Sequence, residues 1–257
     1  MDALATHYVY DKYHPIMVAD QQEQLYLALM KPSIKTIIQM ELIGMPMCPE
    51  ELQRAKQELQ VIAARHRQVI SQSPLIRQTE AILTERAWEK DYAERKKKAK
   101  HPDKIEPKDR ATFPFRVFNP NSGPQIPVLV YEVMGLPVID TTPTRQPAVG
   151  ADTLEKLINH TDNPEYQAIL AALMGNAEAQ KILSTFITAF EAGMDKGDGR
   201  LWLQGSFNLG GTLSGRLSSS DPNMQNLPSG STYGKLVKSI FQAPKGWIFC
   251  GADFASL

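Results

Sequence analysis

The chain has 257 residues, of which 42% are apolar, enough to pack one large domain or two modest ones. Its 28 basic residues equal its 28 acidic residues, so global charge favours no class of partner, and binding to nucleic acid would need only a local stripe of Lys and Arg. The sequence shows neither a signal peptide nor an apolar run of the ~20 residues that a membrane span needs, so we expect a soluble, cytoplasmic protein without membrane contact.

The first third of the chain has the apolar spacing of helices. Residues 14–47 predict helix with a stop at Gly44 and a fresh start near Pro32. Residues 49–74 and 75–99 predict two further helices, the second ending in a basic run. The apolar face of the first segment comprises Leu25, Leu27, Leu29, Ile34, Ile37, Ile38 and Leu42. The basic run comprises Arg95, Lys96, Lys97, Lys98 and Lys100.

Loops and helices alternate in the middle of the chain. Residues 101–125 are rich in Pro, Asp, Lys and Asn and predict a loop, and 138–150 predict a second surface loop. Asp152 or Thr153 could cap the helix that follows. Residues 163–193 then predict a long helical segment with a broad apolar face.

The sequence pattern changes from helical to β-prone after residue 199. The segments RLWLQGSFNL and GTLSGRLSSS are short, β-prone and punctuated by Gly and Ser, which predicts strands. The segment YGKLVKSIFQAP returns to a helical pattern, and GWIFCGADFASL predicts a buried strand over residues 247–253. The expected fold class is therefore α+β and mostly helical.

One polar block carries the strongest chemical signal. Residues 214–228, SGRLSSSDPNMQNLP, concentrate small hydroxyl and amide side chains around Arg216. Asn and Gln can donate hydrogen bonds to the minor-groove acceptors that every base pair presents, and Arg216 can reach a base edge or a phosphate. Taken alone, the block is equally well explained as a polar turn region without a ligand.

The block resembles the signature T-G-R-L-S-S-x-D-P-N-L-Q-N-[IL]-P of family A DNA polymerases, the DNA polymerase I-like family, and departs from it only at Ser214 and Met224. Phe207 and Asn208 stand at the spacing of the family's F-N. YGKLVKSIFQAP is similar to the family's x-G-x-x-I-R-x-A-F-x-A-P, with Lys in place of Arg, and GWIFCGADFASL resembles motif A. Four blocks in the family's order make the resemblance specific.

The resemblance implies template-directed transfer of nucleotides from dNTPs to a primer 3′-OH, in replication or repair, in a bacterial or phage-infected cell. Its partners would be primer–template DNA and dNTPs. The positions that match the family's DNA contacts are Lys181, Asn208, Arg216, Asn223, Gln225, Asn226, Lys235 and Lys238.

Asp253 is the candidate catalytic residue, because it follows the apolar run of the predicted strand. A carboxylate at the end of a buried strand is costly unless it binds something. In the family this Asp ligates both Mg²⁺ ions of a two-metal site, with the backbone carbonyl of Phe254 as a further ligand. A strand-end Asp that caps a turn is the commoner alternative for a single Asp.

Outside motif A the sequence offers few metal ligands. Met1–Thr6 resembles the tail of the third motif of the family's 3′–5′ exonuclease, which would make Asp2 a metal ligand, although five residues of loose pattern also match by chance. Cys48 and Cys250 are far apart and form no Cys/His cluster, which predicts two reduced, buried thiols rather than zinc ligands.

The resemblance extends over most of the chain and implies three regions. Residues 1–30 are expected to be the end of an exonuclease-like domain, 31–198 a thumb-like helical region, and 199–257 the first part of a palm. Within the thumb, residues 75–112 match least and predict an insertion. Its basic run is either a solvated helix end or an extra contact with duplex phosphates.

The family's fingers helix and second catalytic Asp lie beyond the motif that Asp253 matches, so we expect a fragment: a split gene product, an interrupted gene or a truncated record. Such a chain would be inactive without a second chain carrying the fingers and the rest of the palm. The alternatives are a non-catalytic remnant that grips primer–template and a single-subunit RNA polymerase, against which the DPNMQNLP block favours the DNA polymerase branch.

Overall fold

The computed structural model describes residues 2–228, 232–253 and 255. Helices dominate and the strands are short, which confirms the expected α+β, mostly helical class. The α-helices are α1 (Asp2–Ala19), α2 (Glu23–Leu25), α3 (Lys31–Ile43), α4 (Pro49–Gln72), α5 (Pro74–Lys98), α6 (Ala151–Ile158), α7 (Pro164–Lys181), α8 (Thr188–Glu191) and α9 (Thr232–Ile240). The strands are β1 (Met45–Met47), β2 (Met194–Asp195), β3 (Leu201–Leu203), β4 (Ser206–Asn208) and β5 (Ser218–Ser220).

Tighter and wider helical turns complete the secondary structure. The π-helical turns are Tyr26–Met30, Val128–Val133 and Ile182–Ile187, and the 3₁₀ turns are Pro102–Lys104 and Met224–Asn226. The chain divides into two compact units, a discontinuous unit of residues 1–55 and 185–257 and a continuous unit of residues 56–184. Within the described residues, no helix combines the length and apolar composition that crossing a membrane requires.

The continuous unit has a single hydrophobic cluster built where α5, the 128–133 turn, α6 and α7 meet. α5 and α7 each begin with a side-chain cap for a backbone N–H group of the first turn: Ser73 accepts from Leu75 N at 3.2 Å, and Asn163 accepts from Glu165 N at 2.9 Å. The core residues are Ile70, Ile76, Phe118, Ile126, Leu129, Val130, Met134, Leu136, Leu154, Leu157, Ile169, Leu170, Ala172 and Leu173.

The predicted cap of α6 is wrong. Gly150, not Asp152 or Thr153, is the residue at the N-cap, and no side chain caps this helix. Thr153 lies inside the first turn and donates instead to Asp140 Oδ2 at 3.0 Å. The hydroxyl is buried in that position, so the carboxylate of Asp140 gives it the partner that it needs.

The discontinuous unit is organised by an antiparallel sheet in the order β1–β3–β2. Met45 pairs with Leu203 and Met47 with Leu201, so segments more than 150 residues apart in sequence share one ladder. β4 and β5 form a separate two-stranded hairpin. Phe190 and Phe241 pack edge-to-face beside the sheet, with ring centroids 5.3 Å apart.

Two predictions for the discontinuous unit are wrong: a helix at residues 45–47 and a strand at 247–253. Whether a segment forms a strand depends on a neighbouring strand, which the local sequence pattern does not reveal. Residues 45–47 are a strand rather than the end of a helix, since β3 supplies their hydrogen-bond partners. Residues 247–253 form no strand in the described structure, and Trp247 and Ile248 are 74% and 87% exposed. A strand needs a neighbour for its backbone N–H and C=O groups. Cys250 is exposed as well, while Cys48 is buried as predicted.

The predicted apolar face of residues 25–42 exists but is largely uncovered. Only Ile37 of that face is buried, and Leu25, Leu27, Leu29, Ile34, Ile38 and Leu42 are exposed. Gly44 does end α3 as predicted, with φ +72°. The long helical segment over 163–193 also matches its prediction, as α7, a π-helical turn and α8 in succession.

Gly44→Ala should destabilise the discontinuous unit. A Cβ at this position would lie 2.7 Å from the backbone oxygen of Leu203, and the backbone sits where L side chains are strained by roughly 1–3 kcal/mol. We therefore expect the free energy of unfolding, measured by urea titration, to fall by at least that amount. Gly123→Ala is the matched control, since its Cβ would meet open space at ordinary φ. An equal, small effect of both substitutions would contradict the prediction.

Candidate nucleic-acid interface

The polar block folds as a hairpin strand followed by a tight turn, which we call the signature turn (residues 214–228). β4 and β5 pair antiparallel, with Asn208 opposite Ser218, so Asn208 and Arg216 flank the same hairpin loop. The hairpin is tied to α3 by a hydrogen bond from Phe207 N to Glu41 Oε1 at 2.7 Å. Both partners lie in the discontinuous unit, and the hydrogen bond holds β4 against α3.

A small internal network holds the signature turn in shape. Ser219, 6% exposed, donates from Oγ to Asn223 Oδ1 at 3.0 Å. Asn223 Oδ1 accepts a second hydrogen bond from Gln225 N at 3.1 Å and thereby caps the 3₁₀ turn that follows. The backbone of Asp221 is left-handed, with φ +57°, and lets the chain reverse between these residues.

The network leaves the predicted base-reading side chains at the surface. Arg216, Gln225 and Asn226 are exposed, whereas Asn223 is half-buried with its carbonyl oxygen engaged. Thr212 Oγ1 donates to the backbone oxygen of Arg216 at 2.8 Å, which anchors the loop next to the guanidinium. One preorganised turn thus presents a cation and two amides, each able to donate hydrogen bonds.

Two further predicted residues lie on α9, in the same unit. Lys235 and Lys238 are exposed and three residues apart, so they occupy one face of the helix, while Val237 and Ile240 are buried on the other. The end of α9 is pinned to β1 by a hydrogen bond from Cys48 N to Ile240 O at 2.8 Å. Lys181 is exposed at the end of α7, in the continuous unit.

The candidate metal ligands do not form a metal site in the described residues. Asp253 is exposed, Phe254 lies outside the described residues, and Asp2 is exposed at the first turn of α1. Nowhere in residues 2–228, 232–253 and 255 do three His, Cys, Asp or Glu side chains come together to hold a metal ion. The carboxylates of the described residues therefore do not form a two-metal centre by themselves.

Comparison with known proteins identifies the family. A family model described as DNA polymerase family A matches residues 90–257, more than half of the chain. The chain belongs to DNA polymerase family A. The resemblance seen in the signature turn and its neighbouring blocks is thereby confirmed.

Curated relatives are bacterial polymerases that extend well beyond the matched segment. The thermostable DNA polymerase I of Thermus thermophilus is 33% identical over 141 residues, 54% of this chain and 16% of the relative. DNA polymerase I of Bacillus subtilis is 33% identical over 141 residues, 54% of this chain and 15% of the relative. The matched part of this family A chain thus corresponds to less than a fifth of the length of either relative.

A solved structure shows the same fold. The POL domain of Pol1 from M. smegmatis, in complex with DNA primer-template and dNTP, aligns with a TM-score of 0.64 and 19% sequence identity. The alignment covers 90% of this chain and 32% of that structure. The fold predicted for the chain, that of part of a family A polymerase domain, is confirmed.

The structure adds residues that the sequence pattern did not single out. Ser219 and Glu41 position the signature turn, yet one is a Ser in a run of three and the other a Glu on an exposed helix. Neither carries a local signal for its role. The only available clue was that polar turns need internal acceptors for their backbone N–H groups.

Ser219→Ala should loosen the signature turn. The substitution removes the donor to Asn223 and leaves the half-buried Asn223 Oδ1 with one partner fewer, which costs about 1 kcal/mol. The expected result is a lower urea midpoint for the discontinuous unit. Ser220→Ala is the control, because within the described residues the Ser220 hydroxyl makes no hydrogen bond. Equal midpoints for the two variants would show that the network does not stabilise the turn.

Proposed function

We propose that the chain is the primer–template-gripping part of a DNA-directed DNA polymerase, acting in DNA replication or repair. The observation that carries the proposal is the signature turn, in which an internal network frees Arg216, Gln225 and Asn226 for an external partner. Side chains of this kind suit the minor groove, where donors meet acceptors common to all base pairs. Such contacts recognise correct pairing without reading sequence.

The cations have a separate role in this proposal. Lys235 and Lys238 on α9, and Lys181 on α7, would contact phosphates, because exposed Lys side chains commonly bind phosphate oxygens of a duplex. Asn208, at the end of β4, and Asn223, within the turn, complete the set of proposed DNA contacts. Residues 31–198 would then serve as the thumb and 199–257 as the first part of the palm.

Catalysis in this proposal belongs to the complete polymerase. Asp253 would supply one carboxylate to a site for two Mg²⁺ ions, with the Phe254 carbonyl beside it, and the site would stabilise charge on the transferring phosphoryl group. Because the described residues form no carboxylate cluster, further carboxylates must be added before the site exists. Asp2 would belong to a separate exonuclease-like site and takes no part here.

The exposed apolar residues before Asp253 indicate where the rest of a palm would pack. Trp247, Ile248 and Phe249 are all more than half exposed, and a contiguous exposed apolar run marks an interface. Covering strands, from the same protein or from a second chain, would pair with residues 247–253 and cover their apolar side chains. The dNTP would bind only in that completed site.

A second candidate, a non-catalytic primer–template-binding protein, is favoured by the same lack of a carboxylate cluster in the described residues. It shares the signature turn and differs only in catalysis. The two candidates are separated by whether adding the missing half restores primer extension.

The base-edge contacts should be sensitive to a mismatch. Arg216→Ala should weaken binding to a matched primer–template by roughly 1–3 kcal/mol, whatever its sequence, and should reduce the loss that a terminal mismatch causes. Lys181→Ala or Lys235→Ala should instead lower the slope of log K against log salt by about 0.9. Fluorescence anisotropy of labelled primer–template measures both.

Arg65→Ala is the control for that measurement, because this exposed Arg lies outside the proposed contacts. If Arg216→Ala binds as tightly as the parent and discriminates mismatches equally, the signature turn is only a polar turn. An equal loss with Arg65→Ala would mean that the effect is one of net charge.

The chain alone should extend no primer in Mg²⁺ with all four dNTPs, because its described residues bring no three metal-binding side chains together. Adding a chain that carries the fingers and the remaining palm of a family A polymerase should restore extension, and Asp253→Asn should abolish it. Gel analysis of labelled primer measures the product, and Asp162→Asn, another exposed carboxylate, should leave extension unchanged. Extension by the purified chain alone would contradict the prediction.

A further inference from the structure

A cavity of about 350 Å³ lies between α3, the strands beside it and the signature turn, within the discontinuous unit. We call it the α3 cavity, because α3 forms one of its walls. Sites for small molecules have volumes of roughly 300–1,000 Å³, so the α3 cavity lies at the lower end of that range. Its lining residues are Thr36, Gln39, Met40, Ile43, Gly44, Met45, Leu203, Gly205, Phe207 and Met224.

The walls of the α3 cavity are fixed to one another. Phe207 N donates to Glu41 Oε1 at 2.7 Å, and Lys196 Nζ donates to the backbone oxygen of Ile43 at 2.8 Å. β1, which follows α3 after Gly44, pairs with β3. Because α3 cannot close onto the strands without breaking these hydrogen bonds, the space between them is preformed, as in most small-molecule sites.

One wall of the cavity belongs to the signature turn. A Cβ on Gly205 would lie 2.8 Å from Met224 Sδ, so the absence of a side chain at Gly205 lets Met224 pack against the backbone there. Met224 stands where the family signature has Leu. Met is more flexible and more polarisable than Leu, so this wall can adjust its shape to a bound molecule.

The lining of the cavity is mostly apolar, and none of its ten lining residues carries a charge. A neutral molecule is therefore favoured over an ion, since an ion would lose hydration without gaining a partner. Met40, Met45 and Met224 contribute thioether groups, and Phe207 contributes a ring. Sulfur atoms and aromatic rings both make favourable contacts with aromatic rings, so the lining favours an aromatic molecule.

Thr36 and Gln39 supply the polar groups of the cavity. They are three residues apart on α3 and so share one face of the helix. In the part of the chain that the structure describes, neither side chain has a hydrogen-bond partner, whereas Ser33 on the same helix donates to Leu29 O at 2.7 Å. A hydroxyl and an amide can each donate and accept, so both suit a ligand with a single polar group.

We propose that the α3 cavity binds a neutral bicyclic aromatic molecule that carries one hydrogen-bonding group. An apolar cavity of about 150 Å³ takes one benzene ring, so a cavity of about 350 Å³ has room for two fused rings. The rings contact the three methionines, and the polar group meets Thr36 or Gln39. This inference goes beyond the proposed function and does not rest on it, since none of the proposed DNA contacts lines the cavity.

The test titrates 2-naphthol, a neutral bicyclic alcohol, into the full chain labelled with ¹³C at its methionine methyl groups. Ring currents shift nearby methyl resonances, so those of Met40, Met45 and Met224 are expected to move and to saturate. The methyl resonances of Met134 and Met174, in the continuous unit, should stay in place. 2-Naphthalenesulfonate has the same rings and a negative charge, and should bind roughly 10-fold more weakly or worse because the lining offers no cation.

A side chain that fills the cavity should compete with the ligand. Thr36→Trp is expected to weaken binding of 2-naphthol by roughly 10-fold or more. Lys35→Trp is the matched control, because it adds the same side chain at the next exposed residue of α3, outside the lining, and should leave the affinity unchanged. Gln39→Trp fills the cavity from its other polar position, so the test stands if one variant does not fold. Circular dichroism melting shows which variants fold.

The outcomes either support the site or overturn it. Saturable shifts confined to the methionines of the cavity, lost in the filling variants and kept in Lys35→Trp, support it. The inference is overturned if 2-naphthol causes no saturable shift, or if Met134 and Met174 shift equally. Equal affinity of Thr36→Trp and Lys35→Trp would also overturn it, since 2-naphthol would then bind an exposed apolar face elsewhere. These measurements contain no DNA, so their failure leaves the proposed function standing.

Discussion

The discontinuous unit depends on the pairing of β1 with β3. Residues 45–47, which follow Gly44, pair with residues 201–203. The backbone oxygen of Leu203 lies so close to Gly44 that no side chain fits there. This contact closes a loop of more than 150 residues, which is entropically costly and must be offset by burial of residues such as Met47 and Leu203. β4 follows β3 directly, so the pairing also sets where the signature turn starts.

The same strand fixes the second element of the interface. Two hydrogen bonds join β1 and the residue after it to the end of α9. Cys48 N donates to Ile240 O, and Gln242 N donates to Pro46 O at 3.3 Å. Lys235 and Lys238 therefore project from a helix that is anchored at its C-terminal end. Within one unit, a short strand thus orients both the signature turn and the helix face that carries Lys235 and Lys238, which is the preorganisation that the proposed contacts need.

Local signals in the sequence were sufficient for the helices and for the chemistry of the turn. Gly44 and the apolar spacing of residues 163–193 act within a few residues, and the structure follows them. The chemistry of residues 214–228 could be predicted because their residue types and order are those of the family that the comparison confirms. Arg216, Gln225 and Asn226 are exposed in the turn, as a binding role requires.

The structural features that the sequence did not predict depend on contacts between segments that are distant in the chain. Residues 45–47 became a strand because β3 reaches them, and residues 247–253 did not because no described strand lies beside them. The apolar faces around Leu29 and Ile248 show that apolar spacing gives the face of an element but not what covers it. The role of Ser219 likewise depends on a hydrogen bond that only the folded chain creates.

Hydrogen–deuterium exchange with and without matched primer–template tests the central claim most directly, because it locates the contact without changing a residue. The account predicts slower exchange of backbone amides in residues 206–226 and 232–240 when DNA is bound, and unchanged exchange in α1. DNA binding that leaves both segments unprotected, or that protects α1 instead, would contradict it.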